Sequence, residues 1–89
     1  MGYEYRLDFE LPHGPRADSI LRSIPGFETC AANGLYAFRR NATGAMPDAY
    51  AKIEPSGIYV CDNGSAFQIV KDIQAAFAAV GLDAELREL

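Results

Sequence analysis

Few side chains in this sequence could do chemistry, and their spacing gives them little to do together. The one histidine, His13, stands between Pro12 and Gly14. The cysteines, Cys30 and Cys61, are far apart, and neither belongs to a Cys-x-x-Cys pair. Nucleophilic catalysis needs a base beside the nucleophile, and no Gly-x-Ser-x-Gly elbow accompanies His13. Zinc needs clustered Cys and His, and an EF-hand needs a run of oxygen ligands closed by Glu. Asp62-Asn63-Gly64-Ser65 opens like such a loop and then lacks the remaining ligands. Gly64 and Ser65 could offer backbone N–H groups to an anion, but Asp62 beside them repels one. Glu4, Asp8 and Glu10 alternate with Arg6, which describes a solvated, self-compensating strand face rather than an acid–base pair. No catalytic grouping, metal site or cofactor is expected.

One constellation remains. The stretches 35–40 and 50–60 carry Tyr36, Phe38, Arg40, Tyr50, Lys52 and Tyr59, with small or aliphatic residues in the alternate positions. If Leu35, Ala37, Ala49, Ala51, Ile53, Ile58 and Val60 face a core, the aromatic and basic set lies on an open sheet face. Tyrosine and arginine are enriched at protein interfaces because they combine contact area with polar tips. The competing arrangement puts the aromatics inward and the small residues toward water.

The elements that would position these residues are legible as patterns. Residues 3–11 alternate, with Tyr3, Tyr5, Leu7, Phe9 and Leu11 on one side, as in a half-buried strand. Pro15 suits a first helical turn, and Ala17, Ile20, Leu21 and Ile24 form an apolar stripe that Pro25-Gly26 ends. Asn33-Gly34 between apolar runs predicts a hairpin joining strands near 27–32 and 35–40; one long bulged strand is the competing reading. Further strands are expected at 50–54 and 58–61 around the turn Pro55-Ser56-Gly57. Ser65 and Gln68 form a capping box for a helix whose stripe is Ala66, Ile69, Val70, Ile73, Phe77 and Val80, closed by Gly81. Sixteen residues of helix would span about 24 Å. Leu82 to Leu89 alternates again.

This order predicts an α+β fold: a two-layer sandwich, two helices packed on one face of an antiparallel sheet, β-α-β(meander)-α-β, ferredoxin-like or related. The 89 residues make a single domain, 1–89. Hydrophobic residues at 49% suffice for a modest core. A net charge of −4 opposes non-specific nucleic-acid binding and anionic membranes. Tyr36-Ala37-Phe38 departs by one position from the aromatic spacing of an RNA-binding strand, and Asn33 stands where a basic residue belongs. No apolar run is long enough to span a membrane, the N-terminal stretch lacks a leader's apolar segment, and the cysteines are expected reduced, so a cytoplasmic setting is expected. Asn41-Ala42-Thr43 matches a glycosylation sequon, a chance match in such a setting.

The function expected is a small non-enzymatic interaction module. It would bind a protein partner or form a homodimer, through the Tyr36, Phe38, Arg40, Tyr50, Lys52 and Tyr59 face or through an edge strand. The alternative is a small-molecule-binding or catalytic domain using His13, Cys30, Cys61 or Asp62 at a sheet–helix or dimer junction.

Overall fold

The computed structural model describes residues 3–8, 14–40, 43–63 and 67–89. Among them lie six strands and two helices: β1 (Tyr3–Asp8), α1 (Gly14–Arg22), β2 (Phe27–Cys30), β3 (Leu35–Phe38), β4 (Ala49–Glu54), β5 (Gly57–Asp62), α2 (Gln68–Ala78) and β6 (Glu85–Glu88). The fold is α+β, with one sheet in the order β2-β3-β4-β5-β1-β6 and every neighbouring pair antiparallel. β2 to β5 form a meander. β1 leaves it to lie between β5 and β6, and α2 makes the crossover that allows this.

Each helix forms where its apolar stripe finds cover. α1 buries Ala17 and Leu21, with Ile24 buried just beyond its end. α2 buries Ile69, Val70, Ile73 and Phe77. These side chains join one core cluster with Leu7, Tyr36, Phe38, Ala49, Ala51, Ile58 and Val60. The strand registers align those sheet residues on one side. Leu7 lies opposite Ile58, Ala51 lies between Tyr36 and Val60, and Ala49 lies opposite Phe38. Alternation then sends Glu4, Arg6, Asp8, Tyr50, Lys52 and Tyr59 to the other side.

The hairpin after β2 is real. Gly34 N–H donates to Ala31 O at 2.9 Å, and Ala31 N–H donates to Leu35 O at 2.9 Å. Gly34 takes a positive φ of 87°, whereas Asn33 does not, so the turn is not the mirror-image type expected for Asn-Gly. Asn33 instead accepts the Leu35 N–H at its side-chain oxygen, 3.2 Å away.

α2 differs from expectation at its start, and its buried stripe stops short of Val80. It begins at Gln68 and runs 11 residues, because Phe67 sits at φ 71°, ψ 0°, outside helical space. The Phe67 N–H is held by Asp62 Oδ2 at 2.8 Å, and its ring meets Tyr5 edge-on at 5.0 Å. A left-handed phenylalanine costs about 1–2 kcal/mol, offset here by a charge-assisted hydrogen bond and an aromatic contact. Ser65 and Ala66, like Phe9, Glu10, Leu11, Pro12, His13, Asn41, Ala42 and Gly64, lie outside the described residues. At the other end Gly81 closes the helix as expected, at φ 86°. Its N–H reaches Ala78 O and the Leu82 N–H reaches Phe77 O, the paired bonds of a Schellman turn. Val80 falls in that turn and is 40% exposed, so it drops out of the apolar stripe.

Gly57 shows how tightly β1 is seated. A Cβ there would lie 2.0 Å from the Leu7 carbonyl oxygen. Gly57→Ala is therefore expected to cost about 3 kcal/mol or more, because backbone rather than a flexible side chain must move. Gly44, with nothing within 4 Å of its missing Cβ, is the control. Gly44→Ala should stay within about 0.5 kcal/mol of wild type in urea unfolding.

Candidate interaction surface

The helix-free face of the sheet is assembled from β1, β3, β4, β5 and β6. Its central row is Leu35, Lys52, Tyr59, Arg6 and Arg87, each paired with the next across the strands. A second row runs Ala37, Tyr50, Cys61 and Glu4.

One end of this face is a closed charge network. Arg6 Nε lies 2.8 Å from Asp8 Oδ1, Arg6 Nη1 lies 2.6 Å from Glu54 Oε1, and Arg6 Nη2 also donates to Ser56 Oγ. Arg87 Nε approaches Asp8 Oδ2 at 2.6 Å. The like charges of Arg6 and Arg87 face each other across β1 and β6 because Asp8 is shared between them. Burial alone would raise the Asp8 pKa, but the hydrogen bonds and charges of Arg6 and Arg87 hold it below the ordinary carboxylate value. Tyr59 donates its hydroxyl to Glu4 Oε1 at 2.6 Å. That bond, reinforced by burial, pushes the phenol pKa upward.

Beside this network, β4 presents two side chains whose polar ends nothing engages among the described residues. Tyr50 is half-buried and Lys52 exposed. Neither has a hydrogen-bond or ion-pair partner among the described residues. They are two positions apart on one strand and so share the face.

Three of the six expected interface residues therefore lie together: Tyr50, Lys52 and Tyr59. The other three do not, and the expectation that they share the open face is corrected. Tyr36 and Phe38 are 5% and 0% exposed and belong to the core. They pair with Ala51 and Ala49 rather than with Tyr50 and Lys52, so even-numbered residues of β3 face the core while odd-numbered residues of β4 do. Tyr36 donates to Asp18 Oδ1 on α1 at 2.6 Å, and burial first, then this bond, raises its pKa. Arg40 fastens the helix side. Its Nε donates to Pro25 O at 2.8 Å, and its Nη2 lies 2.5 Å from Asp72 Oδ2 of α2, an ion contact rather than an aligned hydrogen bond.

The residues weighed for chemistry do not converge. Cys30 packs against the core cluster while Cys61 lies on the opposite face, and both are free thiols. Asp62 is 3% exposed and serves the backbone of Phe67. His13 is outside the described residues. Among the described residues no group of three or more His, Cys, Asp and Glu could hold a metal ion, and no helix is long and apolar enough to cross a membrane. Arg6 compensates its own strand, as its alternation with acidic residues implies, whereas its reach to Glu54 and Ser56 and the reach of Arg87 to Asp8 join residues distant in the chain and carry no local signal. Compared with models of protein families, with curated proteins and with solved structures, the chain matches none.

The two locked tyrosines give a pH test. Their folded pKa values lie above the ordinary 10.0, so their contribution is complete below pH 10.0 and is lost as pH rises toward the folded values. The thermal midpoint should fall above that pH. Tyr36→Phe combined with Tyr59→Phe should flatten the fall and cost about 1 kcal/mol per lost hydrogen bond at pH 7.

Proposed function

We propose that this chain is a small non-enzymatic protein-interaction module that binds a partner protein through its helix-free sheet face, with Tyr50, Lys52 and Tyr59 as contact residues. The observation that carries this reading is the unengaged pair Tyr50 and Lys52, set beside charges that already neutralise one another. A tyrosine contributes large contact area with few torsions to freeze, and a free cation selects a carboxylate on the partner. Nucleic acid fits poorly, because Arg6 and Arg87 are committed to Asp8 and Glu54 and leave Lys52 as that face's uncompensated cation.

The same proposal takes the fold as a two-layer sandwich of ferredoxin-like descent. With β2 and β3 set aside, the sheet reads β6-β1-β5-β4, two interleaved β-α-β units. β2 and β3 would then be a hairpin added at one edge. A cytoplasmic setting accords with two free cysteines on opposite faces.

Lys52→Glu and Tyr50→Ser are the diagnostic substitutions, measured by affinity capture from lysate of the source cell. Folding stability should change by about 0.5 kcal/mol or less for exposed Lys52. A partner held by wild type should be lost by both variants. Recovery of the same proteins by wild type and variants alike would sink the proposal. Tyr36→Ala and Arg40→Ala are unsuitable probes, because they strip the core and its tie to α2.

A further inference from the structure

The two edges of the sheet are not equivalent. β2 is broken by a bulge between Phe27 and Thr29, and Glu28 is tied to Arg39, the residue after β3, at 2.7 Å. Bulges of this kind disarm an edge against further pairing. β6 has no such device. It is a regular strand from Glu85 to Glu88, paired on one side to β1.

The phase of that pairing fixes which backbone groups look outward. Leu89 N–H donates to Glu4 O at 2.9 Å, and the register runs Tyr5 opposite Glu88 to Asp8 opposite Glu85. In an antiparallel ladder, hydrogen-bonded and non-bonded pairs alternate. The bonded pairs are therefore Leu89–Glu4, Arg87–Arg6 and Glu85–Asp8. The N–H and C=O groups of Leu86 and Glu88 point away from β1, at the open edge.

We infer that β6 pairs with β6 of a second copy of this chain, antiparallel about a two-fold axis at Leu86, to make one continuous sheet from two protomers. Charge selects that register. Centred on Leu86, Glu85 lies opposite Arg87 of the other copy and Arg87 opposite its Glu85, so both pairs attract, each Arg87 being shared between its own Asp8 and the Glu85 across the axis. Centring on Glu85 or on Arg87 instead puts each of those residues opposite itself, which repels. The Leu86-centred register is also the one that joins outward groups to outward groups: Leu86 bonds with Leu86, and Ala84 meets Glu88. The interface is isologous, as a closed dimer requires.

The helix side offers a second fit. Beside Ala84 is a groove of about 350 Å³ lined by Lys71, Gln74, Ala75, Ala78, Asp83 and Ala84. Gln74 Nε2 donates to Ala84 O at 3.2 Å and holds its rim, leaving that carbonyl a second lone pair. Glu88 has the core-side parity of Tyr5, its neighbour on β1. In the Leu86-centred dimer the second copy's Glu88 enters this groove. Lys71, exposed and without an ion-pair partner among the described residues, meets it there. Asp83 stands at the same groove, so Lys71 is what makes it receptive to a carboxylate.

This edge is separate from the face that carries Tyr50 and Lys52, since β5 and β1 intervene. The test is the mass of the intact chain by sedimentation, from about 10 µM to about 1 mM. Wild type should reach dimer mass within that range; monomer throughout overturns the inference. Glu85→Arg alone and Arg87→Glu alone should each weaken association about tenfold or more, because symmetry makes two repulsive pairs from one change. An equimolar mixture of the two variants should recover a heterodimer, each chain supplying the charge the other lacks. Because Arg87 also binds Asp8, each variant is first shown to be folded by its thermal midpoint; with both folded, failure of the mixture to associate overturns the register. Glu88→Pro removes an outward N–H without touching the ladder to β1 and should give a folded monomer with unchanged thermal midpoint. A dimer that survives Glu88→Pro places the contact elsewhere and overturns the edge.

Discussion

The fold depends on the seating of β1 between β5 and β6. Leu7 carries the constraint. Its side chain is fully buried in the core, and its carbonyl passes so close to Gly57 that no Cβ fits between them. A slip of one residue would send Leu7 to solvent and Arg6 into the apolar cluster, where an unpaired guanidinium is very costly. The register is thus enforced from both faces at once. Because β1 pairs with segments near residues 57–62 and 85–88, the sheet cannot be completed from neighbouring hairpins, and the strand that joins β6 to the meander is held by non-local contacts.

Fixing that register also fixes the chemistry of the free face. Arg6 is brought within reach of Glu54 and Ser56 from the β4–β5 hairpin, and Asp8 within reach of Arg87 from β6. Partly buried pairs of this kind contribute little individually, but together they neutralise Arg6 and Arg87, and Glu85 opposite Asp8 is left without an ion-pair partner among the described residues. The consequence is selectivity of position. A surface whose charges are largely satisfied gives a partner little to exchange for water, whereas the Tyr50 hydroxyl and the Lys52 ammonium have no partner among the described residues.

Periodicity within an element was readable in advance, and relations between elements were not. Ala17, Leu21 and Ile24, the α2 stripe from Ile69 to Phe77, the parity of Tyr5 and Leu7, and the closing Gly81 all follow from local spacing. Alternation says that Tyr36 and Phe38 share a side. It does not say whether that is the side of Ala51 or of Tyr50, because the sequence between Phe38 and Ala49 carries no alternation that fixes the phase between β3 and β4. Phe38 turned inward where the alternating Leu35 and Ala37 turned outward, since the core opposite Ala49 and Ala51 has room for an aromatic ring. The start of α2 escaped for a similar reason. The expected capping box placed the boundary at Ser65, but the Asp62 carboxylate takes the N–H of Phe67 and turns the chain there, leaving Gln68 to begin the helix.

The insertion of β1 has one more consequence, at the margins of the sheet. It pushes β6 outward to become an edge, at the opposite end from β2. Evolution of a stable monomer ordinarily blunts both margins, by bulge, proline, lysine or cover. Here β2 is bulged and cross-tied by Glu28 and Arg39, while β6 keeps unbroken strand geometry with Glu, Leu, Arg and Glu in sequence. Charged side chains do protect an edge when they are of one sign, because any antiparallel copy then repels itself. Glu85 and Arg87 have opposite signs at a spacing of two on one face, which under a two-fold axis becomes attraction. A pattern that repels most strangers and attracts its own image is the form that specificity takes at an unpaired strand.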